Sequence, residues 1–178
     1  ESMNMADQKT YVNLAAELGF DHILVDAGWD KNLGYDGAEE LVRYAASKNV
    51  DVFLWYSSSG WWNDIVQSPV DVMSNPIARK RDMRWMKKIG VKGIKVDFFG
   101  GDAQREIEYY HELMECAARH HLLINFHGAT TPRGWQRTYP HMLTTEAVYG
   151  AEWYNNVPTF TKKAARHNAT LPFTRNVI

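Results

Sequence analysis

The sequence predicts an α/β fold, a parallel sheet curved as part of a (β/α)8 barrel with about six of its strands present. Three observations carry this. Short, nearly continuous apolar runs alternate with segments of helical period, the pattern of parallel strands joined by helical crossovers. Polar residues gather at or just past the strand C-terminal ends: Asp26, Ser57, Asp97, His127 and Glu146. The first strand breaks into Asp26-Ala27-Gly28-Trp29, which lacks the glycine-rich phosphate turn of a doubly wound sheet.

Taken in order, Tyr11, Leu14, Ala15 and Leu18 recur at helical spacing between Ala6 and Leu18, and Gly19 supplies a stop. His22 to Asp26 reads as a short buried strand. Ala38 to Lys48 is helical, and Asp51 to Tyr56 is a second strand, running into Ser57-Ser58-Ser59-Gly60. A loop with Trp61, Trp62 and Pro69 leads to a helix over Pro76 to Ile89, with proline near its start. Val91 to Asp97 is the third strand, and Gly100-Gly101 turns the chain into the longest helix, Ala103 to His120. Leu122 to Phe126, Met142 to Thr145 and Phe173 to Ile178 are read as the fourth, fifth and sixth strands. Six strands fall short of eight, so residues 1–178 are expected to form one barrel segment of a longer protein, without an internal linker or repeat.

Composition narrows the ligand. Twenty Lys and Arg against twenty-one Asp and Glu give a net charge of −1, no field for a phosphate backbone or an anionic membrane. No apolar run reaches the roughly 20 residues of a membrane helix, and no signal-peptide pattern opens the chain. The single cysteine, Cys116, excludes an internal disulfide. Seven Trp and nine Tyr, several beside turn residues, suit a flat and partly apolar ligand such as a sugar.

Two constellations can carry chemistry. Alternation along the third strand puts Lys95 and Asp97 on one face and Ile94, Val96 and Phe98 on the other, so a charged pair points inward. A lysine there keeps the carboxylate ionised as a nucleophile or base; a structural ion pair closing the barrel end is the alternative. Glu146 and Glu152 follow the fifth strand among aromatics. Alone they are as readily ordinary glutamates of a solvated loop. Glycoside hydrolysis, however, needs two carboxyl groups from different segments facing across one bond, and Asp97 and Glu152 can be that pair.

Several runs together resemble glycoside hydrolase family 97. They are Lys95-Val96-Asp97-Phe98-Phe99, Asn125-Phe126-His127-Gly128, Thr131-Pro132-Arg133-Gly134, Arg137-Thr138-Tyr139-Pro140, Glu146, Glu152 and Pro172-Phe173-Thr174-Arg175-Asn176-Val177. The resemblance implies a catalytic barrel between flanking β-domains outside this chain, α-galactosidase or α-glucosidase activity, and calcium in the active site. Inverting members lack the strand-end aspartate and retaining members carry it, so Asp97, beside the carboxylate-free Ser57, Ser58, Ser59 and Gly128, implies retention. By the same resemblance Asp97 is the nucleophile, Glu152 the general acid/base, and Glu146, with Glu152, a calcium ligand. Lys95, Asp26, Trp29, Trp55 and His127 are expected to bind or line the sugar. A periplasmic or secreted location and the remaining domains of a parent protein as partners are implied as well.

Other features read as structure. His111-Glu112 lacks the second histidine of a helical zinc motif and is expected on an exposed helix face. His120 ends a helix, where it complements the dipole. Asp102 reads as a turn and N-cap residue, Cys116 as core, and Asn168-Ala169-Thr170 as a formal glycosylation sequon. Two further functions stay open from the residues: Lys95 as the Schiff-base lysine of a barrel aldolase, or a non-catalytic carbohydrate-binding fragment.

Overall fold

The computed structural model describes residues 3–60 and 64–175. Five parallel strands form one sheet in the order β1-β2-β3-β4-β5, namely His22–Val25, Asp51–Ser57, Gly93–Asp97, Leu123–Phe126 and Met142–Thr145. Around them run α1 (Met5–Leu18), α2 (Trp29–Asn32), α3 (Gly34–Ala46), α4 (Pro76–Ile89), α5 (Gln104–Arg119), α6 (Trp153–Asn156) and α7 (Ala164–Thr174). Sequential order with every neighbour parallel is the wall of a (β/α)8 barrel, and it requires a crossover between successive strands. Among the described residues β1 and β5 each pair on one side only. No described helix is long and apolar enough to cross a membrane.

Local chemistry sets the ends of the helices. The Asn4 side chain accepts the Asp7 N–H ahead of α1, and Gly19 closes that helix at φ 71°. In α4, Asn75 accepts the N–H groups of Ile77 and Ala78, Pro76 occupies the first turn, and Gly90 ends the helix in the left-handed region. Asp102 does not cap α5: Ala103 holds that position, and Asp102 instead pairs with Arg133 at 3.0 Å.

Strand alternation sorts the sheet into two faces. Val52, Leu54, Tyr56, Ile94, Val96, Ile124 and Phe126 are buried against α3, α4 and α5, including Leu41, Met83, Met86, Tyr110 and Leu113. The opposite face carries His22, Leu24, Phe53, Lys95, Asn125 and Thr144 around a concavity of about 250 Å³. Gly93 lets the Phe53 ring lie across this face, since a Cβ there would overlap the ring. Register sets Lys95 between Trp55 and Asn125, and Asp97 beside Ser57.

Further expectations change. The expected strand over Phe173 to Ile178 is not found among the described residues: Phe173 and Thr174 end α7, and residues 176–178 lie outside the described ones. Ala164, Ala165 and Ala169 favour helix here, and Pro172 comes only in its last turn. The sequon Asn168-Ala169-Thr170 is therefore helical. Of the α1 stripe Tyr11, Leu14, Ala15 and Leu18, only Ala15 is buried, together with Gln8 and Val12, because contact with α3 selects a face turned away from the larger apolar residues. Glu112 is exposed as expected, though it pairs with the buried Arg79 at 2.9 Å, whereas His111 is half-buried and meets the Tyr139 hydroxyl at 3.2 Å. Cys116 is buried as expected, and His120 Nδ1 lies 2.8 Å from the Cys116 carbonyl oxygen at the end of α5. The aromatic loop residues Trp61 and Trp62 fall outside the described residues.

Candidate active site

Asp97 ends β3 with its side chain on the inward face, only 4% exposed. Its Oδ2 accepts the Trp55 indole N–H at 3.0 Å and the His127 Nδ1–H at 3.1 Å, and lies 3.5 Å from the Lys95 ammonium. Its Oδ1 accepts the Phe98 backbone N–H at 2.8 Å. Burial opposes ionisation, but the hydrogen bonds from His127 and Trp55 and the charges of His127 and Lys95 outweigh it and hold the carboxyl below its usual range. The chain turns sharply next. Phe98 adopts φ 67°, a strained value for a side chain of this size, and its ring meets Trp55 edge-on with centroids 5.9 Å apart.

The neighbouring strands supply the remaining groups. Lys95 Nζ contacts Asp26 at 2.9 Å, closer than Asp97, so the lysine bridges two carboxylates across β1 and β3. His127, just past β4, presents Nδ1 to Asp97 and Nε2 to Glu146 Oε1 at 3.4 Å. The Asp97 hydrogen bond, with a smaller contribution from Glu146, raises the imidazole above its ordinary value against the opposing effect of burial. Glu146 extends β5: its N–H donates to the Phe126 carbonyl, and its Oε2 accepts the Gly128 N–H at 2.9 Å. Glu152 is exposed at the N-terminal boundary of the four-residue α6, and one oxygen each from Glu146 and Glu152 and one nitrogen of His127 lie within 4.8 Å of one another. Through His127, Asp97 and Glu152 belong to one constellation although they come from β3 and the segment after β5.

Two expected sugar contacts are overturned. Trp29 is fully buried on the helix side, stacked on Trp85 with centroids 5.9 Å apart, and its indole N–H donates to the Trp55 carbonyl. The left-handed Gly28 begins α2 and turns Trp29 away from the concave face. Trp55 does face the barrel interior, but at 1% exposed it offers a donor to Asp97 and no open ring surface. Asp26, Lys95 and His127 remain partly accessible at the site.

Sequence reading took Gly128 only as a strand end without a carboxylate and missed its steric role. It has φ 51°, and a Cβ built on it would sit 3.1 Å from Asp97 Oδ1 and 3.3 Å from the Phe98 nitrogen. The available signal was a glycine directly after a strand-end histidine, next to the strand carrying the aspartate. Nothing comparable in the sequence marked Trp55 as a partner of Asp97, because that contact depends on the register of β2 against β3.

Residues 1–148 match the family model described as Glycoside hydrolase 97. A probable retaining alpha-galactosidase of Streptomyces bingchenggensis is 36% identical over 189 residues, covering all of this chain and 26% of that protein. The retaining alpha-galactosidase of Bacteroides thetaiotaomicron is 30% identical over 184 residues, with 98% of this chain and 25% of that protein covered. A crystal structure of a beta-arabinopyranosidase superimposes with a TM-score of 0.91 at 46% identity, over 98% of this chain and 28% of that one. The chain thus spans about a quarter of the length of the curated relatives it matches.

Proposed function

The chain belongs to glycoside hydrolase family 97, and we propose that within its parent protein it forms the catalytic wall of a retaining α-glycosidase acting on α-galactosides. The observation that carries the reading is Asp97: an inward carboxylate at a strand's C-terminal end, kept ionised by three side-chain donors. Asp97 attacks the anomeric carbon while Glu152 protonates the departing glycosidic oxygen, giving a covalent glycosyl-enzyme and a free alcohol. Glu152, now deprotonated, takes a proton from water, which displaces Asp97 and releases the sugar with its original configuration. Exposure suits Glu152 to this exchange, and Lys95 with Asp26 is placed to hold sugar hydroxyls. The complete reaction is assigned to the parent protein with its flanking β-domains, exported to the periplasm or beyond.

Proton NMR of the full-length enzyme acting on an aryl α-galactoside tests the mechanism. The first-formed anomer is expected to be α; a β-anomer would remove Asp97 from the nucleophile role.

Calcium fits part of the donor set. The Glu146 and Glu152 oxygens are hard ligands, whereas His127 is not a calcium ligand and already engages Asp97, so two carboxylates supply a minority of the roughly six to eight oxygens required. Glu146 is the better holder, since the Gly128 N–H fixes it, and a carboxylate bound to the ion is a poor proton donor for catalysis. When bound, the ion supplies positive charge that relieves repulsion among the facing carboxylates. Metal analysis and exhaustive chelation of the full-length enzyme test this part: about one calcium and a large loss on chelation are expected, and full activity without metal would remove the ion from the mechanism.

A second substrate reading rests on the beta-arabinopyranosidase likeness. A β-L-arabinopyranoside is an α-galactoside without its hydroxymethyl group, so the same carboxylates can serve both. Comparing kcat/KM for the two aryl glycosides decides between them. The aldolase alternative fits poorly, because Lys95 is ion-paired to Asp26 and Asp97 whereas a Schiff-base lysine must present a free amine. The binding-fragment alternative loses Trp29 and Trp55 as stacking surfaces, since both are buried; calorimetry showing sugar binding with no hydrolysis by the complete protein would favour it.

A further inference from the structure

We propose that Trp55 is a positioning residue for the reaction, its indole N–H fixing the orientation of the Asp97 carboxylate. The inference rests on the reading of Asp97 as nucleophile. Its geometric basis is a chain of two buried donors that crosses the sheet from the helix side to the site. Trp29 donates its N–H to the Trp55 carbonyl at 2.8 Å, and Trp55 donates its own N–H to Asp97 Oδ2 at 3.0 Å. Both indoles are at most 1% exposed, so water does not compete for either bond.

Three donors converge on Oδ2, and they differ in kind. Lys95 is shared with Asp26 at a shorter distance, and His127 is shared with Glu146. Trp55 offers its single N–H to Asp97 alone. An indole N–H is a donor only and does not titrate in the working range, so this contact keeps its direction while the charges around it change. Packing fixes its angle: the Phe98 ring lies against one part of the Trp55 indole, and Trp29, itself packed by Tyr35, Tyr56 and Trp85, anchors the Trp55 backbone. The sugar contact expected of Trp55 is thereby replaced by an action through the nucleophile.

The test is Trp55→Phe in the full-length enzyme, which keeps an aromatic ring and removes the donor, compared with Trp55→His, which restores a ring N–H. Rates are normalised to active sites counted by exhaustive labelling with a covalent, mechanism-based inactivator and intact-mass measurement, an end point independent of the labelling rate. In Trp55→Phe, kcat for an activated aryl α-galactoside should fall at least about tenfold with KM nearly unchanged, and the acidic limb of the pH profile should move to higher pH as Asp97 loses a donor. Trp55→His should recover part of both effects. A purely structural role would lower the number of active sites and leave the per-site rate and the acidic limb in place, and that outcome overturns the inference. Should Trp55→Phe fail to fold, indole N–H exchange in tryptophan-labelled enzyme decides. A slowly exchanging Trp55 proton that becomes fast in Asp97→Ala supports the contact, and unchanged exchange overturns it. The nucleophile reading has its own control: if Asp97→Ala keeps its activity, that reading fails whatever Trp55 does.

Discussion

The barrel wall and the segment beyond β5 hold their carboxylates in opposite ways. Asp97 is buried, at the end of a central strand, with Trp55, His127, Lys95 and the Phe98 N–H all directed at it. Glu152 is exposed, beside a helix of four residues, and its side chain makes no capping hydrogen bond. Glu146 lies between the two extremes, partly buried and tied through Gly128 to the loop after β4. The difference follows the work proposed for each group. A nucleophile must stay ionised and aligned, which favours fixed donors and exclusion of water; an acid/base must gain and lose a proton in every turnover, which favours access to solvent.

Removing the buried member should have the largest effect. Asp97→Ala in the full-length enzyme is expected to lower kcat by roughly a thousandfold or more, and azide should restore turnover as a β-glycosyl azide from an α-substrate. Restored turnover that yields only the α-azide would contradict a nucleophile on that face. Glu152→Gln should cost less, and selectively. For substrates with poor leaving groups a loss of about 10²- to 10⁴-fold is expected, while an activated aryl glycoside should be cleaved to the glycosyl-enzyme with little penalty. Equal losses on both substrates would erase the distinction between the two carboxylates.

Smaller again is the effect of pH on the Asp97–His127 pair in metal-free enzyme. The carboxyl sits below its usual range, so its stabilisation is present above about pH 4 and is lost as pH falls through the lowered folded value. The imidazole sits above its ordinary value, so its share is complete below about pH 6.5 and is lost as pH rises through the raised folded value. The pair should therefore contribute most between these limits. Asp97→Asn should bring the His127 titration, followed by NMR, back down toward that of a free histidine. An unmoved titration would mean that Glu146 and not Asp97 sets the imidazole.

How much of this was legible in the sequence follows from what each contact depends on. Strands β2, β3 and β5 and helix α4 are set by local patterning and by Asn75, Pro76 and Gly90, and they lie close to where periodicity puts them. The inward placement of Lys95 and Asp97 follows from the two-residue repeat of a strand. Trp29 and Trp55 were misassigned because an aromatic residue near a strand end has the same local signature whether it faces substrate, core or carboxylate. Only the positive φ of Gly28 and the register of β2 on β3 separate those cases. The buried side of α1 and the helical state of Phe173 depend in the same way on tertiary contact and on the alanines upstream, not on the apolar residues themselves.

Gly128 constrains the routes by which a site of this kind can change its chemistry. A Cβ at that position would press on Asp97 Oδ1 and the Phe98 nitrogen, at 3.1 and 3.3 Å, and would have to adopt φ 51° as well. The oxygen it meets has little room to yield, because the other oxygen of the same carboxylate is pinned by Trp55 and His127. A side chain at 128 and a held aspartate at 97 are thus competitors for one small volume. A side chain at 128 therefore requires the Asp97 carboxylate to shift or be replaced, so changes at these two positions are coupled.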